Sequence, residues 1–313
     1  MKITAVMNYK GGVGKTSVTA NLAAELAWLG YRVLLLDMDP QASLTFSFIK
    51  PEVWVDGYGK TKTIKRWFDA ITQYESFSLK SLVISPKVVN SEIEKSRKGG
   101  KLDLIGSHLD LINVDLELAT QLGAENLKQF KRNYLKIYCR LADGLKEINE
   151  NDYDLILIDC PPNFNIVTKN AIISSDSILI PAKPDYLSTL GIDYLTRSIK
   201  TLVKEYNDLH KDGDSLSHEL ISPQVLGVIF TMIDIRNGKP ISALDQFIKQ
   251  PEKLGLFVFE QKLRENKTIY ADAPQYGVPV VLSSYSSPTH KDVVNELKLF
   301  SKQFIAKSGL RQK

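Results

Sequence analysis

Short continuous apolar runs, each closed by a turn or a charged residue, recur along the chain: Lys2–Met7, Arg32–Leu36, Asp154–Ile158, Ser177–Ile180 and Val225–Phe230. A strand with one wet face alternates apolar and polar residues, whereas a strand covered on both faces is apolar throughout. Runs of the second kind predict a parallel sheet with helices on each side. Most of them are followed by a stretch of helical character, the clearest being Lys15–Leu29, which Gly30 stops. The expectation is a doubly wound, mostly parallel α/β domain with helices on both faces.

Two segments break this rhythm. Residues 50–101 are rich in lysine, serine and aromatics, contain KSRKGGK, and predict an insertion with a helix near Thr63–Tyr74. Residues 207–223 are polar and turn-rich, a loop of unusual length. Near the C-terminus Val293, Leu297, Phe300 and Phe304 fall at helical spacing, with Asp292, Glu296, Lys298 and Lys302 between them. Mixed charge opposite an apolar stripe is the pattern of a last helix packed on a core. The organisation expected is one domain over 1–313, with an inserted segment at about 50–103 and a C-terminal helix plus basic tail at about 289–313.

Composition narrows the class. Of 313 residues 43% are hydrophobic, which excludes intrinsic disorder. Two cysteines, Cys139 and Cys160, exclude a disulfide scaffold and predict reduced thiols in a cytoplasmic protein. No apolar run approaches the ~20 residues of a membrane span, and the N-terminus lacks the apolar region and cleavage site of a signal peptide. The net charge of +4 is too small to mark a constitutive nucleic-acid binder. Its distribution is uneven: residues 50–103 carry 11 basic and 7 acidic side chains, and the last thirteen carry four bases and no acid. The stretch 104–300 is net acidic.

The strongest chemical signal is Lys10-Gly11-Gly12-Val13-Gly14-Lys15-Thr16, placed between the first strand and first helix. Glycines let a loop backbone wrap phosphate oxygens with its amides inward, and the helix behind presents its positive end to the same anion. Lys15 would neutralise the β/γ-phosphate oxygens, with Ser17 next to Thr16, whose hydroxyl would ligate Mg²⁺. Tyr9 stands where the common phosphate-loop pattern has its first glycine. Downstream, Asp37-Met38-Asp39-Pro40-Gln41 closes the second run and Asp159-Cys160-Pro161-Pro162 the third. Carboxylates at the ends of central strands lie beside such a loop.

With Lys10 in place the loop reads K-G-G-x-G-K-[ST], and the chain resembles the ParA/MinD family of ATPases, which also contains the nitrogenase iron protein. The resemblance implies that Lys10 reaches across a nucleotide-sandwich homodimer to the partner's ATP. It implies that Asp39 in the D-x-D-P-Q segment orients the attacking water, that Asp37 lies near the metal, and that Asp159 in D-x-P-P holds Mg²⁺ with Thr16. Thr231-Met232-Ile233-Asp234-Ile235-Arg236, Leu263-Arg264-Glu265-Asn266 and Ala271–Pro279 resemble the segments that flank adenine in that family, which makes Met232 and Arg264 base-contact candidates. The likeness covers roughly 1–49 and 150–300.

Within the family, cluster chemistry would need paired cysteines that neither Cys139 nor Cys160 provides, and His108, His210, His218 and His290 show no ligand spacing. A MinD-like membrane-surface positioner is the alternative, but AKSGLRQK has too few large apolar residues to insert. The D-P-Q segment favours the ParA branch. That branch implies slow, partner-stimulated ATP hydrolysis, a ParB-like adaptor, nucleoid association, and non-specific DNA binding in the ATP state by arrayed bases. Arg236, Lys239, Arg264, Lys267 and Lys291 are the DNA candidates inside the family segments; the 50–103 segment and the tail are the alternative. A separate N-terminal reading domain is not expected, since the loop begins at residue 10.

Overall fold

The computed structural model spans residues 1–313 and describes all but 74, 212–218, 237–238, 241–243 and 285–286, together with the side chains of 71–72, 211, 236, 239–240 and 272–273. Six strands form one sheet: β1 (Lys2–Val6), β2 (Arg32–Asp37), β3 (Lys101–Ile105), β4 (Leu155–Asp159), β5 (Ser177–Ala182) and β6 (Gln224–Phe230). Their spatial order is β3-β2-β4-β1-β5-β6, and every pairing is parallel. The five apolar runs are five of these strands. Alternate residues feed two cores: Ala5, Leu34, Leu36, Ile156 and Ile158 point into one, and Val6, Val33, Leu35, Leu155 and Leu157 into the other.

Helices cover both cores. In chain order they are α1 (Lys15–Trp28), α2 (Ser43–Phe46), α3 (Pro51–Gly57), α4 (Ile64–Thr72), α5 (Lys87–Glu94), α6 (Val114–Thr120), α7 (Leu127–Tyr138), α8 (Arg140–Leu145) and α9 (Ile166–Ile173). The long α10 (Tyr186–Lys211) follows β5. After β6 comes a two-stranded hairpin, β7 (Ile235–Arg236) and β8 (Lys239–Pro240), then α11 (Asp245–Ile248), α12 (Gln250–Lys253), α13 (Lys267–Tyr276) and α14 (Pro288–Ser308).

The segment at 50–103 is not an appendage. Residues 101–105 are β3, and the residues before them are the crossover that joins β2 to its parallel neighbour. Trp67 and Phe68 of α4 are buried in one core, and Trp54, Val89 and Ile93 of α3 and α5 in the other. The return to the sheet is tight: a Cβ on Gly100 would lie 1.8 Å from the Ala27 carbonyl oxygen, so only glycine lets this backbone pass the end of α1. Part of the polar loop expected at 207–223 is helix, because α10 runs on to Lys211; beyond 212–218, Ile221 is pinned to Asn207 by two hydrogen bonds of 2.9 and 3.0 Å.

The last helix packs as its periodicity predicts, with Val293, Leu297, Phe300 and Phe304 buried. Behind it the tail lies across the N-terminal pole of the sheet. The Tyr31 hydroxyl donates to the Arg311 carbonyl (2.8 Å), and Lys313 Nζ donates to the Gly30 carbonyl (2.9 Å) and pairs with Asp154 (2.5 Å). Among the described residues no helix is long and apolar enough to cross a membrane.

If the β2–β3 crossover is part of the core, Trp67→Ala should cost about 3–5 kcal/mol in urea denaturation, as large-to-small changes at buried tryptophans do. A loss below about 1 kcal/mol, the size of an ordinary surface change, would show the segment to be dispensable to the fold.

Candidate nucleotide and magnesium site

Parallel register puts the chemistry on one edge. Val6 and Asp37 both pair with Asp159, so the loop after β1 and the carboxylates ending β2 and β4 emerge together at the C-terminal edge of the sheet. The loop is shaped by Gly12 (φ 66°) and Gly14 (φ 78°), conformations that L side chains rarely adopt. Val13 is buried beneath it, and its carbonyl accepts the Thr231 hydroxyl at 2.8 Å, tying the loop to the end of β6. Asn8 anchors the other side, donating to the Pro181 carbonyl (2.8 Å) and accepting the Lys10 amide (3.0 Å). Tyr9 packs between Phe164 and Tyr194, which accounts for an aromatic where the common pattern has glycine. Gly11 and Gly12 face open space.

The first turn of α1 contains no acid, and no side chain caps it. Its free amides and dipole are therefore available to an anion. Lys15 is buried at that point, and burial pulls its ammonium below the usual lysine range against the raising effect of Asp159 and Asp39. A buried cation beside open amides is suited to a phosphate.

Asp159 is buried as well. Its Oδ2 accepts the Thr16 hydroxyl at 2.7 Å, while its Oδ1 has no hydrogen-bond partner. Burial, and then the neighbouring Asp37, push its carboxyl up. A divalent cation would remove that strain, so Thr16 and Asp159 fit the magnesium role expected of them. Asp37 is placed differently. Its Oδ2 accepts both the Thr45 amide (2.8 Å) and hydroxyl (2.7 Å), and its Oδ1 accepts the Asp39 amide (3.2 Å). Both of its oxygens already serve the turn that carries Asp39. Asp39 is half-buried and accepts the Gln41 amide on Oδ1 (2.9 Å).

A cavity of about 280 Å³ continues from Gly14 and Ser17 between β6 and α13, walled by Val18, Met232, Leu263 and Leu297. Met232 and Arg264, the two base-contact candidates, both line it. The Arg264 guanidinium is held by Glu296 (2.7 Å) and Asp292 (3.0 Å) of α14. A larger cavity of about 470 Å³ opens at the opposite pole, around Tyr31, Arg32 and Asp154, and holds none of this chemistry.

The remaining candidates scatter. Lys267 and Lys291 are exposed, and Arg236 and Lys239 pair across the β7–β8 ladder, their side chains lying outside the described residues. Cys139 and Cys160 are free buried thiols raised by burial, the first to about 11. His218 lies outside the described residues. Sequence reading missed two residues. Asp185 follows β5 as Asp37 and Asp159 end their strands, and the same strand-end signal could have found it; it pairs with Lys10 through both oxygens (2.8 and 2.7 Å) and caps α10 by accepting the Ser188 amide. Tyr270, on the cavity wall, carries no sequence signal.

Comparison with known proteins agrees with this geometry. A family profile described as an AAA domain matches residues 1–211. The sporulation initiation inhibitor protein Soj of Bacillus subtilis is 30% identical over 283 residues, 90% of each chain. The chromosome partitioning protein ParA of Caulobacter vibrioides is 30% identical over 90% of this chain and 87% of its own. Two solved structures share the fold. The ATP complex of a Cyanothece McdA variant superposes with a TM-score of 0.69 at 20% identity, covering 100% of this chain and 98% of that one. Cobyrinic acid a,c-diamide synthase of Mycobacterium smegmatis, with an ATP analogue and magnesium, gives 0.64 at 21% identity over 100% and 97%.

Asp37 also yields a pH signature. Burial pushes its carboxyl up to about 7 despite the Thr45 and Asp39 donors, so the fold favours its protonated form. Stability from a carboxyl raised in the fold is complete below the unfolded value of about 4 and is lost as pH rises through the folded one. Nucleotide-free protein should therefore weaken in urea between about pH 5 and pH 8. Asp37→Asn should flatten part of that fall; an unchanged slope would refute the assignment.

Proposed function

Because the chain belongs to the ParA/Soj family of partition ATPases, we propose that it is a Mg-ATP-dependent switch that dimerises on ATP, binds DNA non-specifically in that state, and positions a plasmid, chromosome or other cargo. The observation that carries the reading is the pairing of Thr16 with an Asp159 whose second oxygen is orphaned, directly beneath the glycine loop at whose end Lys15 is buried. The loop amides and Lys15 bind the triphosphate, Thr16 and Asp159 hold magnesium, and Asp39 orients the attacking water. Bound magnesium would neutralise charge on the β- and γ-oxygens. Asp37 acts one step back, by fixing the Asp39 turn.

The face around Lys10 suits a second copy of the chain. The first turns of α10 expose Tyr186, Leu187, Leu190 and Tyr194, an apolar stripe beginning next to the Lys10–Asp185 pair. A dimer closed over this face would bury the stripe and bring each Lys10 toward the other chain's phosphates, where a second cation offsets transition-state charge. Turnover should be slow until an adaptor of the ParB kind acts. The membrane alternative is less well supported, because the apolar stripe of α14 is already used in the core.

Lys10→Ala should bind MgATP with near-normal affinity yet remain monomeric in light scattering; an ordinary ATP-dependent dimer would remove the proposed role across the interface. DNA retention should require ATP, be insensitive to sequence, and fall steeply with salt as counterion release demands. Equal retention with ADP and ATP would sink the switch.

A further inference from the structure

Lys95-Ser96-Arg97-Lys98-Gly99-Gly100-Lys101, the turn between α5 and β3, takes no part in the nucleotide site. The fold sets it against the far end of α1. A Cβ on Gly30 would lie 3.0 Å from the Lys98 carbonyl oxygen and 3.3 Å from the Lys98 Cβ. Arg97 takes φ 56°, a left-handed conformation uncommon for a residue with a side chain. Lys298 and Lys302 reach the same place from α14, one helical turn apart on one face. All three lysines act on a single carboxylate, that of Glu25 on α1, which is buried with its Oε2 unpaired. None of the three closes an ion pair with it, or with any other acid among the described residues. The carboxylate stays beneath the surface, while Lys98 and Lys302 stay in water and Lys298 is half-buried.

The two basic stretches that stand apart in the sequence, 50–103 and the last thirteen residues, thus meet on one surface through Lys98 and Lys302. Unpaired ammoniums of this kind hold a phosphate backbone without reading its bases. We propose that Lys98, Lys298 and Lys302 form a contact surface for the phosphates of duplex DNA. The proposal rests on the DNA-binding reading above and gives that binding a place on the molecule. Glu25 follows Lys15 along α1 by about 15 Å at the helical rise, so the surface can be occupied while the phosphate loop is full. Three contacts per chain hold DNA weakly. A dimer that presents two such sets binds far more tightly, because the second set meets DNA already at hand. Joining two chains then gates the DNA without a change of shape in either.

The test is Lys98→Gln with Lys302→Gln in the full chain, bound with MgATP to duplex DNA of arbitrary sequence across a salt series. Each lysine that neutralises a phosphate adds about 0.9 to the slope of log affinity against log salt, roughly eightfold in affinity at 0.1 M salt. The double variant should lose about 2 from that slope if one chain of the dimer touches the duplex, and about 4 if both do. ATP-dependent dimerisation and DNA-free ATP hydrolysis should not change. Arginine at both positions, which keeps the charge, should restore binding. Glu25→Gln should bind DNA about twofold to threefold more tightly, the effect of removing one charge several ångströms from a phosphate in water. That comparison is made at pH 8, above the value of about 7 to which burial pushes the Glu25 carboxyl against the pull of Lys298, Lys98 and Lys302. An unchanged slope in the glutamine variant would overturn the proposal. So would an equal loss in the arginine variant, or Glu25→Gln protein that dimerises with ATP yet binds DNA no more tightly. Wild-type protein that shows no ATP-dependent DNA retention would instead overturn the DNA reading itself.

Discussion

Three ionisable side chains, Lys15, Asp37 and Asp159, are buried together at the C-terminal edge of the sheet, and the rest of the site is arranged around the cost of burying them. Each solves the problem differently. Asp37 is surrounded by protein donors and becomes a structural post for the next turn. Asp159 is satisfied on one oxygen only. Lys15 has carboxylates nearby but no close ion pair among the described residues. A fold that leaves a cation and half a carboxylate unsatisfied is stabilised most by what binds them, and an anion carrying a divalent cation answers both. Ligand binding and completion of the site are then a single event.

Lys10 belongs to the same arrangement but sits at its rim. Its pair with Asp185 is geometrically good, yet both side chains are a third or more exposed, at 33% and 40%. Ion pairs of that kind contribute about 0–1 kcal/mol. Such a pair can keep the lysine ordered without holding it against a triphosphate, whose higher charge density competes easily. Asp185 and the apolar start of α10 thus put a weakly held cation on a face that has exposed hydrophobic surface to lose.

What the sequence made legible follows from the same physics. Five strands showed themselves because burial on both faces forces apolar runs, and the phosphate loop showed itself because its glycines and lysine have no substitute. β3 was hidden for a concrete reason: Asp103 sits in its middle, fully buried, accepting from Ser85 (2.5 Å) and Tyr153 (2.6 Å). A buried, hydrogen-bonded aspartate looks like a loop residue until its partners, 18 and 50 positions away, are known. The same blindness made the crossover look like an insertion, since Trp54, Trp67 and Phe68 are dispersed among lysines that lie on its outer surface. Asp37 was legible as a strand-end carboxylate but not as one already saturated by Thr45. Tyr270 was not legible at all, because an orphaned hydroxyl exists only in three dimensions.

The charge pattern also changes meaning once partners are known. Five of the eleven bases in 50–103 have a carboxylate in reach, Lys65 with Asp69, Arg66 with Glu75, Lys80 with Asp152, Lys95 with Glu92 and Lys101 with Asp103, but of these acids only Asp152 lies outside the segment, so most of its excess positive charge remains. In the tail, Lys313 is spent on Asp154. A cation with a carboxylate within 4 Å presents little net field beyond the Debye length of about 8 Å. Arg264, flanked by two carboxylates, presents none of its own. Lys267 is different: it is 88% exposed, and its nearest acid is at the 3.9 Å limit. It begins α13, beside the cavity that would hold the base, so its position depends on the same helix that carries Tyr270. Any surface for DNA built there would be coupled through one short helix to whether the cavity is filled, which is the coupling a nucleotide-gated binder requires.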